Sequence, residues 1–175
     1  MQSIAFSNKN DSLFRFTSEI SLGYSAKTDK NYKIGGISPG IRLMWEPNKK
    51  LNIGIESTFM QIEKHFFNST NQNNNEPEKA NLNAIPILLV FNMEIWKMNF
   101  YGSVGASYVW TRLDTKNDLV ISSQWNYTIM LSSGYTYYFN EWIGIGIEGK
   151  YYLFTKLEKQ LFSINIKTKF CLLTW

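Results

Sequence analysis

The single histidine, His65, lies within four residues of Glu63, Lys64 and Ser69. A hydroxyl becomes a nucleophile only when a neighbouring base takes its proton, so this set would support hydrolysis or acyl transfer. The simpler reading is a solvated charged rim, because polar loop ends commonly carry such residues. Metal chemistry finds less support: one His, one Cys and no clustered carboxylates supply no ligand set, and no cofactor is expected. Cys171 is the only cysteine, which excludes a disulfide framework or a CxxC redox pair and leaves the reading of an inert small filler.

A second group of reactive side chains is more informative because of where it sits. Arg15, Glu19, Arg42, Glu56, Glu94, Glu148, Lys150, Lys167 and Lys169 all fall in stretches where every other residue is apolar. Five are positive and four negative. In IGIGIEGKYYLF, from Ile143 to Phe154, the isoleucines, Tyr151 and Leu153 share one phase, while Gly144, Gly146, Glu148 and Lys150 share the other. Successive side chains of a strand face opposite sides of a sheet, so this is a strand with one greasy and one small-or-charged face.

The same alternation recurs along the chain. It predicts eight strands, over 12–25, 35–46, 51–66, 82–96, 99–112, 120–139, 143–156 and 160–175, with 1–11 as an N-terminal extension to one domain spanning 1–175. EPNKK, KM and NE are tight links, whereas KTDKNYK, NSTNQNNNEPEKAN and LDTKND are longer polar loops, and KLEK is a short link on the long-loop side. No run approaches the ~18 apolar residues of a membrane helix, so a helical membrane protein is excluded. The first ten residues hold no apolar export core, so an export signal is expected to have been removed or replaced.

Which face is enclosed follows from what each can tolerate. Charged residues make up 18% and aromatics 16%, against roughly 25% charged in soluble domains. A wet polar face would be dense in Lys, Glu and Thr, and glycines there would weaken the strands. The interior of a narrow eight-stranded barrel instead needs small residues for space, and charges enclosed there must be paired. The pattern therefore predicts an all-β, eight-stranded antiparallel up-and-down transmembrane β-barrel, with the nine charges as an interior network and the apolar face toward lipid. Trp45, Trp96, Trp110, Trp125, Tyr137 and Phe139, near strand ends, are the expected aromatic girdle. A soluble lipocalin-like binding barrel is the alternative fold.

IPILLVF after a long polar loop, the FYGSVGASY strand, the hairpin MLSSGYTYYFNEWIGIGIEGKYYLF and the terminal Trp175 together carry a resemblance that spans nearly the whole chain. The chain resembles the eight-stranded bacterial outer-membrane barrels of the OmpA, OmpX and OmpW kind, and in particular the PorT-like outer-membrane barrel domains common in Bacteroidetes. The resemblance implies a Gram-negative outer-membrane location with structural, adhesin-like, transport or secretion-complex roles. It also implies a terminal aromatic in phase with the lipid face. Here Phe162, Ile164, Ile166, Phe170 and Leu172 are out of phase with Trp175, which a β-bulge near the end would repair. Some resembling barrels modify lipid A at the outer rim. In the deacylase pattern a Ser follows the His by two positions, where this chain has Phe67.

The expected function is a non-enzymatic barrel, acting as an anchor or as a subunit of a larger envelope assembly, with a lipid A-modifying rim enzyme as the alternative. Expected partners are outer-membrane lipid and lipopolysaccharide, the latter suited by Lys27, Lys30 and Lys33 and a net charge of +4, together with other outer-membrane proteins. Trp125, Tyr127, Tyr135 and Tyr137 form a contact-stripe candidate. Nucleic acid is not expected, since the aromatics belong to the apolar face. The NST at Asn68 and NYT at Asn126 read as chance matches to a glycosylation acceptor.

Overall fold

The computed structural model describes residues 14–27, 35–47, 51–66, 79–95, 98–114 and 119–174, and every regular element among them is a strand. They are β1 (Arg15–Lys27), β2 (Gly35–Glu46), β3 (Leu51–Thr58), β4 (Met60–Phe66), β5 (Lys79–Ile95), β6 (Met98–Asp114), β7 (Leu119–Tyr138), β8 (Ile143–Phe154) and β9 (Lys159–Thr174). All neighbours pair antiparallel, and the β1–β9 and β3–β5 ladders close the sheet into a barrel. The stretch expected as one strand over 51–66 is broken at Phe59, so β3 and β4 are the lower and upper halves of one stave and the barrel has eight.

The break marks where the wall stops being fully laddered. β2 pairs β3 only between Gly40↔Thr58 and Trp45↔Ile53, and the Phe59 N–H donates to the Pro39 carbonyl at 2.9 Å as the last bond of that seam. On the far side, β7 meets β8 only from Thr128↔Phe154 downward. The upper parts of β4, β5, β6 and β7 therefore continue past their neighbours as a four-stranded sheet at the long-loop end.

Burial follows the alternation. β8 alternates exposed or half-buried odd residues with buried even ones along its whole length. Ile147 is 63% exposed, while Glu148 beside it is 2% exposed. Ile20, Leu22, Ile41, Ile55, Ile87, Leu89, Val104, Leu131, Ile145, Ile164 and Ile166 likewise face outward. The interior is layered. Toward the loop end, Met60, Ile62, Ala84, Val109, Met130, Tyr152, Phe154 and Leu161 form an apolar fill, against which Leu82 and Leu157 pack. Toward the tight-turn end buried charged side chains join the fill, packed among Met44, Leu88 and Val90.

At the close of β9, Phe16 pairs Leu173 and Thr17 pairs Cys171, which leaves Leu172 as a bulge. Leu172 and Leu173 are both exposed, so the apolar phase changes at this point as the sequence requires. Trp175 lies outside the described residues.

Candidate functional site

The site is built from a single rung of the sheet. Glu19 on β1 is in register with Arg42 on β2, and Arg42 with Glu56 on β3, so the alternation that points one of them inward points all three inward at one height. Arg42 Nη1 donates to Glu19 Oε2 at 2.7 Å and Nε to Glu56 Oε2 at 2.7 Å. Its remaining nitrogen, Nη2, lies 2.5 Å from Glu56 Oε2 and donates across the bore to Glu148 Oε1 on β8 at 2.7 Å. The fork of a guanidinium, with five donors and no acceptor, suits one cation to three carboxylates.

Two lysines complete the charge balance. Lys150 Nζ donates to Glu56 Oε1 at 2.6 Å, and Lys167 Nζ lies 3.4 Å from Glu19 Oε2 and 3.6 Å from Glu148 Oε2. Three carboxylates thus face three cations, every one at most 3% exposed. Neutral hydroxyls satisfy the remaining lone pairs. Ser132 donates to Glu148 at 2.6 Å and Thr58 to Glu56 at 3.2 Å. Such satisfaction is what makes buried ions tolerable, because a charge left alone in a low dielectric is strongly destabilising.

Tyr101 on β6 belongs to the same cluster. Its hydroxyl accepts from Lys167 Nζ at 2.8 Å, and its ring lies 4.0 Å beneath the Arg42 guanidinium. The residue sits in the inward phase of FYGSVGASY, so the strand pattern could have found it, but its aromatic character argued for the lipid face. Glu46 was missed for another reason, its position beside a turn. It accepts from Lys169 Nζ and from Thr17 Oγ1 one layer nearer the turn end.

Of the nine expected network residues, Glu19, Arg42, Glu56, Glu148, Lys150 and Lys167 meet in one cluster, and Lys169 pairs with Glu46 beside it. Glu94 does not join them. It is exposed, and with Asn99, Thr136 and Tyr138 it lines an open cavity of about 270 Å³ at the turn end. The β5–β6 hairpin strand ends one residue beyond it, at Ile95; Asn92, two residues deeper, is buried. Arg15 is half-buried opposite Glu46 and forms no ion pair among the described residues. At the loop end a second cavity, of about 280 Å³, is lined by Asn81, Leu82, Thr111, Gln124 and Leu157 and by the ion pair of Glu63 with Lys159. Between the two cavities stand the charge cluster and the apolar fill.

The backbone of His65 pairs with Ala80; its side chain, like Ser69 and Asn68, lies outside the described residues. Asn126 is buried, and its Oδ1 accepts from the Lys156 N–H at 3.0 Å, which makes it a wall-closing residue. Cys171 is half-buried on the inward phase opposite Thr17. Among the described residues no three His, Cys, Asp or Glu side chains gather to hold a metal.

The outer wall carries aromatics in two belts. Tyr108 contacts Trp110 at 5.8 Å and Trp125 at 5.5 Å between ring centroids, and Phe59 meets Trp110 at 6.1 Å. At the other end Trp45, Tyr137, Phe139 and Trp142 are exposed, with Tyr137 and Phe139 in edge contact at 5.3 Å. Trp96 lies outside the described residues, and Trp110 is half-buried against its neighbours. Trp125 and Tyr137 are twelve residues apart on β7, about 40 Å of strand, or roughly 28 Å of height at a tilt of ~45°. That spacing matches the apolar band of a bilayer barrel.

Solved structures with this arrangement were found across nearly the full chain. The attachment invasion locus protein Ail of Yersinia pestis, solved in complex with the heparin analogue sucrose octasulfate, superposes with a TM-score of 0.61 over 93% of this chain and 99% of its own, at 8% identity. The fold is that of an eight-stranded outer-membrane β-barrel. Neisserial surface protein A gives a TM-score of 0.56 at 12% identity over 90% and 96% of the two chains. The N-terminal β-barrel domain of Pseudomonas aeruginosa OprF gives 0.52 at 10% identity over 90% and 99%. Likeness at these identities is one of fold. No family model and no curated protein sequence matches the chain.

Proposed function

We propose that this outer-membrane-type barrel resides in a bacterial outer membrane as a multi-pass, non-enzymatic protein, and serves as an anchor or as a subunit of a larger envelope complex of the PorT-like kind. The observation that carries the reading is the inversion of the wall: a lipid-height apolar band bounded by two aromatic belts outside, and six mutually neutralised charges inside. Long loops face the cell exterior and tight turns the periplasm, the habit of such barrels. A bore filled at two levels by buried side chains favours an anchoring role over permeation. Lipopolysaccharide is the lipid partner this orientation supplies, and the solved complex of Ail with a sulfated sugar is in keeping with polyanion contact at the loop end.

The test begins with the exported protein, extracted from the outer-membrane fraction in mild detergent, and the mass of the particle carrying it. One chain plus a detergent belt supports the free-standing anchor; a much larger particle supports the subunit. Recovery in the soluble fraction overturns the membrane reading. An altered lipid A profile in a His65→Ala strain overturns the non-enzymatic one.

A further inference from the structure

The cavity at the turn end lies in a step of the wall. β6 begins at Met98, opposite Ile95 on β5 and Tyr135 on β7, whereas β7 runs on to Tyr138 opposite Gly144 of β8. Residues 96 and 97 of the intervening turn lie outside the described residues. Glu94, Asn99, Thr136 and Tyr138 line the cavity from the inward phase of their strands, and Tyr135 and Tyr137 from the outward phase.

The chemistry of this lining is one-sided. Glu94 is the one ionised group in it and forms no ion pair among the described residues. Lys169 lies 5.9 Å over the ring of Tyr138, but its ammonium is already paired with Glu46. Thr136 is 6% exposed, and its Oγ1 is buried without a hydrogen-bond partner. A hydroxyl left in that state is destabilising, and a donor entering the cavity would relieve it. Asn99, also buried, accepts from Asn92 Nδ2 at 3.2 Å with one lone pair of its Oδ1 and has a second. β8 adds no side chain here, because Gly144 and Gly146 stand beside Thr136. A Cβ on Gly144 would fall 2.9 Å from Thr136 Cγ2 and 3.0 Å from Tyr138 Cδ1.

We infer that this cavity is a binding site for a primary alkylammonium. Glu94 supplies the counter-charge, Thr136 Oγ1 and Asn99 Oδ1 accept the other N–H bonds, and the tyrosine rings offer π faces to a cation. A primary ammonium has three donors, which matches this set; a quaternary ammonium has none and would leave Thr136 unpartnered. A hard divalent cation fits less well, because it collects several carboxylate and carbonyl oxygens and the lining holds a single carboxylate. Two sources carry the ammonium: a free amine in the turn-end compartment, or the headgroup of an ethanolamine phospholipid. Tyr137 brings the second within reach, since it belongs with Phe139 to the turn-end aromatic belt, the level at which head groups lie. The headgroup source rests on the membrane reading proposed above; the ammonium site itself does not.

The full chain with methyl-labelled threonine, in a maltoside detergent, reports the site through the Thr136 methyl signal. Ethanolamine is expected to shift that signal saturably, and choline at the same ionic strength to leave it in place. Glu94→Gln is expected to raise the ethanolamine dissociation constant about tenfold, because a charge-assisted bond becomes a neutral one. Thr136→Val assigns the signal by its loss and, read by calorimetry, binds ethanolamine several-fold more weakly. The compact, heat-modifiable gel band shows which variants are folded. No saturable shift, an equal response to choline, or unaltered affinity in either folded variant overturns the site. Nanodiscs of ethanolamine and glycerol phospholipids, set against discs of choline and glycerol phospholipids, separate the sources. A methyl signal already at its shifted position in the ethanolamine discs alone identifies the headgroup, and one that moves only on adding free ethanolamine identifies the soluble amine. A chain that enters neither disc overturns the membrane reading, while the detergent titration still decides the site.

Discussion

Arg42 and Glu148 stand 106 residues apart in sequence and 2.7 Å apart across the bore, on strands that share no ladder. Their contact ties the β1–β2–β3 side of the wall to the β8 side. Glu148→Leu leaves Arg42 with two carboxylates and Lys167 with one, and is expected to cost about 3–5 kcal/mol. A lowered urea midpoint and loss of the compact, heat-modifiable gel band are the readouts.

The members of the cluster differ in how much they leave behind. Arg42→Met abandons three carboxylates and is expected to be the worst of the set. Lys150→Met is expected to be the mildest, because Glu56 keeps two contacts with Arg42, at 2.7 and 2.5 Å. Denaturation midpoints should fall in the order Lys150→Met, Glu148→Leu, Arg42→Met, from least to most affected. An equal loss for all three would show that the charges do not act as a hub around Arg42.

Leu131 sits midway between the two aromatic belts on β7 and faces outward at 56% exposure. Leu131→Arg is expected to cost about 2–4 kcal/mol in a bilayer, the penalty for a cation at the midplane of a lipid-facing wall. Urea titration in phospholipid vesicles checks it. A neutral effect would argue that this face is wet.

Glycine is required at one point of the wall and dispensable at another. A Cβ on Gly146 would fall 2.2 Å from the Tyr135 carbonyl oxygen and 3.0 Å from the Thr136 Cα, so Gly146→Ala must push β7 and β8 apart, at about 1–3 kcal/mol. Around Gly102 a Cβ meets nothing within 4 Å, and Gly102→Ala is expected to change stability by no more than ~0.5 kcal/mol. Comparing the two midpoints in one detergent tests the contrast.

The alternation in IGIGIEGKYYLF was enough to assign a strand, to separate its faces and, through the glycines and balanced charges, to say which face is enclosed. Period two is a property of the backbone itself, so each strand carries this information locally. The same reasoning placed Glu19, Arg42, Glu56, Glu148, Lys150 and Lys167 inside, and the phase conflict before Trp175 pointed to the bulge at Leu172. Register is different, because it depends on how far one strand slides along another before its side chains and turns fit. Only the tertiary structure therefore decided that Glu94 lies outside the cluster and Tyr101 within it, that Phe59 divides a stave, and that β7 outruns β8 beyond Thr128. Each of those facts is a relation between two strands, and no single strand's residues contain it.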